Sequence, residues 1–225
     1  MKYIFTFLIL FTGFLAQAQD ENTNTFKFGI KGGVNASVIN NTVNVGASTK
    51  TDFHIGIFSE LRSNSVAFQP EIIYSRQGCE TDYNFYAYYN RGNTKINLSY
   101  LNIPLLLKVY VIKGLNIHAG IQPGLLLAAN EKGEITEHES GLGGPRPTSK
   151  SIDKDVKKDY KSTDFGIPIG LGYNFSSKFS ASLRYTYGLT EVNNDAEITG
   201  YRERVGVGSE KMTNRIIQLS LGYSL

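Results

Sequence analysis

From about Leu98 to Leu127, apolar residues recur at every second position. Leu101, Ile103, Leu105, Leu107 and Val109 alternate with Tyr100, Asn102, Pro104, Leu106 and Lys108. After a break at Ile112-Lys113-Gly114, Leu115, Ile117, Ala119, Ile121, Pro123, Leu125 and Leu127 alternate with Asn116, His118, Gly120, Gln122, Gly124 and Leu126. A period of two describes a strand with two unlike faces. Each arm runs to about ten residues, beyond the five or six of an ordinary soluble strand and close to what a tilted strand needs to cross a bilayer. The segment therefore predicts a membrane-crossing β-hairpin.

The same alternation marks the rest of the chain. It runs from Phe26 to Ala36, from Phe53 to Arg62, from Val66 to Gln77, from Asp164 to Asn174, from Phe179 to Thr190 and from Asn214 to Leu225, giving eight strands with the hairpin. Breaks after the second, fourth and sixth strands are short, whereas those after the first, third, fifth and seventh are long. Short turns on one side and long loops on the other are the habit of outer-membrane barrels, with the termini on the periplasmic side. An even count lets the sheet close, leaving no unpaired edge in lipid. The expectation is an all-β fold: a closed, eight-stranded, antiparallel, up-and-down transmembrane β-barrel. The stretch from Ala129 to Ser162 reads as one long irregular loop, or as a loop with a small helix near Ile152 to Lys161, which either caps the barrel or meets a partner.

A soluble lipocalin-like barrel also has about eight antiparallel strands, but it is apolar inside and polar outside. Here the apolar face lacks charge over long stretches, with Arg76 and Arg215 near strand ends, while the opposite face carries Glu60, Glu71, Lys108, Asp164 and Arg184. Charges confined in a narrow lumen must be paired, since each unpaired one costs several kcal/mol. Glu60, Glu71, Lys108 and Arg184, with Gln69, Asn102 and Gln122, are thus expected to form a polar network that plugs the lumen. A barrel of this size has an interior filled by side chains, so a small-solute channel is the weaker alternative.

Residues 1–18 have the layout of a signal peptide: Lys2, an apolar core from Ile4 to Leu15, and the small-x-small run Ala16-Gln17-Ala18. Residues 19–225 would then be the barrel domain. Without Lys2, 22 Lys and Arg face 20 Asp and Glu, a balance that gives no reason to expect nucleic acid. The 23 Gly, 14 Tyr and 13 Phe suit a barrel, with glycine where the inner wall is crowded and aromatics at the interfaces. Mean hydropathy is −0.20, compatible with a membrane barrel because only alternate residues face lipid.

Catalytic chemistry finds little footing. Cys79 is the lone cysteine, which excludes an intramolecular disulfide and a cysteine-based metal site. His54 points inward by the alternation, His118 sits near the periplasmic end of its strand, and His138 lies between Glu137 and Glu139. No nucleophile is set beside any of them by spacing, as acyl transfer would need. No cofactor is implied, and the protein reads as non-enzymatic, a lipid-modifying enzyme being the remote alternative. Tyr83, Phe85, Tyr86, Tyr88 and Tyr89 concentrate amphipathic rings on the extracellular side. They form either part of the aromatic girdle or a contact surface for an extracellular protein or glycan.

Phe68-Gln69-Pro70-Glu71-Ile72-Ile73-Tyr74-Ser75 and Tyr100-Leu101-Asn102-Ile103-Pro104-Leu105-Leu106-Leu107-Lys108 resemble the two most recognisable stretches of the PorT-like outer-membrane β-barrel family of Bacteroidota. Gly29 to Asn35, Gly166 to Tyr173 and Leu183 to Leu189 are similar to other strands of that family. The resemblance implies an eight-stranded OmpA/OmpX-like barrel in the outer membrane and, through the family's namesake, an accessory part in protein secretion. The partners expected on this reading are outer-membrane lipid and the assembly machinery, which favours an apolar or aromatic strand end such as Tyr223 to Leu225.

Overall fold

The computed structural model describes residues 24–40, 46–85, 90–141, 144–194 and 212–225. Ten strands form one sheet: β1 (Asn24–Asn40), β2 (Gly46–Ser63), β3 (Val66–Phe85), β4 (Asn90–Asn102), β5 (Leu105–Ile112), β6 (Leu115–Gly141), β7 (Gly144–Asp155), β8 (Thr163–Asn174), β9 (Phe179–Gly188) and β10 (Thr213–Ser224). β4 and β5 are two halves of one crossing, both paired with β3 on one side and β6 on the other. They part at Ile103-Pro104, where proline has no N–H to donate. The Pro104 carbonyl still accepts from Glu71 N at 2.9 Å, and Ile103 N donates to Pro123 O at 2.8 Å. The sheet closes where β1 meets β10, antiparallel from Gly29↔Ser224 to Asn40↔Thr213. With β7 outside the ring, eight antiparallel crossings make an up-and-down barrel.

The period-two faces separate as a membrane barrel requires. On β8, Phe165, Ile167, Ile169, Leu171 and Tyr173 all point outward and are exposed. This run covers nine residues, within the nine to eleven or so that span the hydrocarbon core, and ends in an aromatic ring at each side. Leu107, Val109, Ile117, Ile121, Leu219 and Leu221 continue the apolar band around the barrel. Lys31, His54, Glu60, Glu71, Lys108, His118 and Arg184 are buried on the inner wall. A lipocalin-like barrel has the reverse arrangement, so that alternative fails. At the periplasmic end the turns are tight; Asn64 (φ 53°) and Gly114 (φ 87°) supply the left-handed backbone that two of them need.

The other end departs from the expectation of irregular loops. β6 runs on to Gly141 and pairs with β7 from Asn130↔Asp155 to Gly141↔Gly144. The stretch from Ala129 to Ser162 is therefore mostly a β-hairpin standing beyond the ring, and the helix considered near Ile152 to Lys161 is a single 3₁₀ turn, Lys157–Asp159. Likewise β1 and β2 reach Asn40 and Gly46, and β3 and β4 reach Phe85 and Asn90, shortening two expected loops. The backbone after β7 folds inward. Val156 N bonds Ala129 O, Lys161 N bonds Val192 O, Asn194 N bonds Asp159 O and Val192 N bonds Met212 O, at 2.8–3.0 Å. Val156, Val192 and Met212 thereby close over Ile39, Cys79, Leu98, Tyr100 and Leu126 in a buried apolar cluster. The extracellular end of the lumen thus holds a buried apolar cluster, with the buried Lys50 and Glu131 at the same end.

Candidate functional site

Below that cluster the inner wall is polar, and strand register decides which side chains meet. Glu71 on β3 is reached from across the barrel by Arg184 on β9, whose Nη1 and Nη2 donate to Oε2 and Oε1 at 2.9 Å each. Lys31 on β1 donates from Nζ to Oε1 at 3.0 Å, and Gln69 Nε2 adds a further bond to the same oxygen. Nearer the periplasm, Lys108 Nζ donates to Glu60 Oε2 at 2.8 Å and Tyr110 donates to the same carboxylate at 3.0 Å. All of these side chains are buried. Charge-assisted and bidentate bonds of this kind are the strong class, which is how two carboxylates are held in a narrow interior.

Of the seven residues expected in the lumen, the structure brings together Gln69, Glu71 and Arg184 in one group and Glu60 with Lys108 in another. Asn102 and Gln122 are buried on the same wall but bond neither carboxylate; Asn102 Nδ2 has no partner among the described residues. The sequence reading omitted Lys31, Tyr110, Asn35 and Gln218. Lys31 carried a visible signal, as a charge on the inward phase of a strand. On β8, Gly170 and Gly172 lie opposite His118 and Asn116. A Cβ at Gly170 would stand 2.6 Å from His118 Nε2, and one at Gly172 would stand 2.8 Å from the Asn116 amide. These glycines make the room that the two inward side chains occupy.

A nucleophile does meet a histidine, although spacing gave no hint of it. Ser220 Oγ lies 2.8 Å from His54 Nε2, and His54 Nδ1 donates to Asn35 Oδ1 at 2.7 Å. The connectivity is that of a serine-histidine-asparagine relay. Yet Ser220, His54 and Asn35 are 4%, 2% and 0% exposed, and the cavity that Ser220 borders measures about 20 Å³. Space for about one water molecule cannot admit an ester, so the trio serves to hold β1, β2 and β10 together. A second cavity of about 20 Å³ lies toward the periplasm. His138 lies on β6 opposite Pro147. Tyr83 and Phe85 lie on β3 opposite Gly92 and Asn90, while Tyr86, Tyr88 and Tyr89 fall outside the described residues, as does the expected leader.

A closed antiparallel ring that is apolar outside and polar within is the architecture of an outer-membrane barrel protein. The comparisons agree: the chain belongs to the outer membrane protein beta-barrel domain family, whose model matches residues 17–194. It resides in the outer membrane. Among solved structures it is similar to Ail, the attachment invasion locus protein of Yersinia pestis, at 12% identity over 88% of this chain and 98% of that one, TM-score 0.44. It is also similar to Neisserial surface protein A, at 14% identity over 88% and 96%, TM-score 0.42. OprG from Pseudomonas aeruginosa matches at 10% identity over 91% and 98%, TM-score 0.45. No curated protein matches the sequence.

Proposed function

We propose that the protein is a non-enzymatic outer-membrane component that works at the cell surface through its extracellular hairpins, with a sealed lumen that serves stability. One observation carries this reading: the described interior is obstructed at successive levels, by ion pairs below and a buried apolar cluster above, while the β6–β7 hairpin projects past the ring. A rigid support with a projecting, solvated element suits recognition, where function commonly sits on loops held by a scaffold. An extracellular protein or glycan is the partner class, with the tyrosine-rich segment from Tyr83 to Tyr89 as a second candidate for contact. Its membrane environment is outer-membrane lipid, reached through a cleaved leader over residues 1–18 and the assembly machinery. The accessory part in secretion implied by the PorT resemblance is a narrower form of the same role.

Heparin is the probe chosen for the glycan arm, because the hairpin and the turn after it expose Lys132, Lys150, Lys154, Lys157 and Lys158. The test replaces residues 133–152 with a two-residue Asn-Gly turn and Lys132, Lys154, Lys157 and Lys158 with Gln, and measures binding of vesicle-reconstituted protein to immobilised heparin and of expressing cells to host-cell monolayers. Loss of either interaction, with the barrel still folded, is the expected result. Unchanged binding in both assays would overturn a surface role for this hairpin.

A further inference from the structure

The buried charges of the periplasmic half do not cancel. Among the described residues, Lys31, Lys108 and Arg184 provide three cations, against which Glu60 and Glu71 provide two carboxylates. The cavity of about 20 Å³ touches all three cations, and no carboxylate contributes to its wall. Two donors on that wall have no partner among the described residues: Arg184 Nε and Asn116 Nδ2. Arg184 is 2% exposed and Asn116 1%, so bulk water does not serve them. The second cavity, toward the periplasm, is bordered by Lys27, Lys108 and Lys178 with Glu60 as its single acid, so the approach from that side is cation-rich as well.

We infer that this lumen cavity is a binding site for one small monovalent anion of halide type, held by Arg184 Nε, Asn116 Nδ2 and the excess positive charge of Lys31 and Lys108. A water molecule could satisfy both donors, and could also donate to His118 Nε2, which is likewise unpartnered. Water would nevertheless leave a net positive charge in a compartment surrounded by lipid, an arrangement that several kcal/mol of desolvation disfavours. An anion removes the imbalance and meets the same donors. The small volume selects against organic anions. Gly172 sets the floor: a Cβ there would press on the Asn116 amide at 2.8 Å.

The probe is bromide. Crystals of the full barrel grown in sodium bromide and measured at the bromine absorption edge should show an anomalous peak within hydrogen-bond reach of Arg184 Nε and Asn116 Nδ2. In solution, replacing gluconate by chloride at constant ionic strength should raise the urea midpoint of the natural protein, as expected of a ligand that binds only the folded state. Lys31→Gln leaves two cations for two carboxylates, so it should fold and lose this chloride dependence. An empty anomalous map at the cavity, or a midpoint indifferent to chloride, would overturn the proposal. The diffraction result decides the matter if Lys31→Gln does not fold.

Discussion

Glu71→Gln isolates the weight of the central ion cluster. The Glu71 side chain is fully buried, and its two oxygens accept four hydrogen bonds from Lys31, Gln69 and Arg184. Glutamine keeps the volume but removes the charge, and its amide nitrogen must face a donor. Lys31 and Arg184 are then both left as buried cations without their shared anion. Breaking one partner of a buried pair costs about 3–5 kcal/mol. With a urea m-value of about 2 kcal/mol/M, the midpoint for the barrel in lipid vesicles should fall by about 1.5–2.5 M at unchanged m. Asp153→Asn is the control: its pair with Lys132 has side chains 65% and 60% exposed, and solvated pairs contribute about 0–1 kcal/mol. The double variant Glu71→Gln/Lys31→Gln should recover part of the loss, because one of the two opposed cations is gone, and the coupling should lie within the ~0.5–3 kcal/mol seen between touching residues. If Glu71→Gln shifted the midpoint no further than Asp153→Asn, the cluster would not be holding the barrel together.

Three other perturbations test different walls of the structure. Ile169→Arg, at an outward position 55% exposed near the middle of β8, should cost about 2–4 kcal/mol in vesicles, whereas at the surface of a water-soluble barrel it would be nearly silent. Gly170→Ala places a Cβ 2.4 Å from Leu183 O and 2.6 Å from His118 Nε2; overpacking of about 1–3 kcal/mol should appear in the same urea titration, with partial relief by His118→Ala, since the backbone contact with Leu183 O stays. Cys79, fully buried in the cap cluster, should resist maleimide labelling in the folded barrel and react completely in urea, and rapid labelling of folded protein would mean that the cap opens.

The crossing strands are legible in the sequence because lipid on one side and a polar lumen on the other impose a period of two. Leu101, Leu107 and Val109 against Asn102, Lys108 and Tyr110 show it even across the Ile103-Pro104 break. The β6–β7 hairpin gives no such signal. Lys132, Glu134, Asp153 and Lys154 are all exposed there, so the charges follow no inward-outward alternation and the stretch resembles an irregular loop. Partner choice within the lumen is hidden for another reason. Arg184 and Glu71 lie 113 residues apart on strands that are not neighbours in the ring, and the inward phase of each strand says which residues enter, not at what height they meet. The apolar cap is hidden because Ile39 and Met212 lie beyond the ends of the alternating runs, while Leu98 and Leu126 are apolar residues on the phase that elsewhere carries polar groups.

The most direct test of a sealed lumen is planar-bilayer recording of the purified, refolded barrel, with its fold first verified by a mobility shift on boiling. The structure predicts a flat baseline across the applied voltage range, since the apolar cap and the Glu71 and Glu60 clusters obstruct the path at successive levels. Stable, ohmic conductance steps from protein that shows the mobility shift would contradict that prediction and make the barrel a channel.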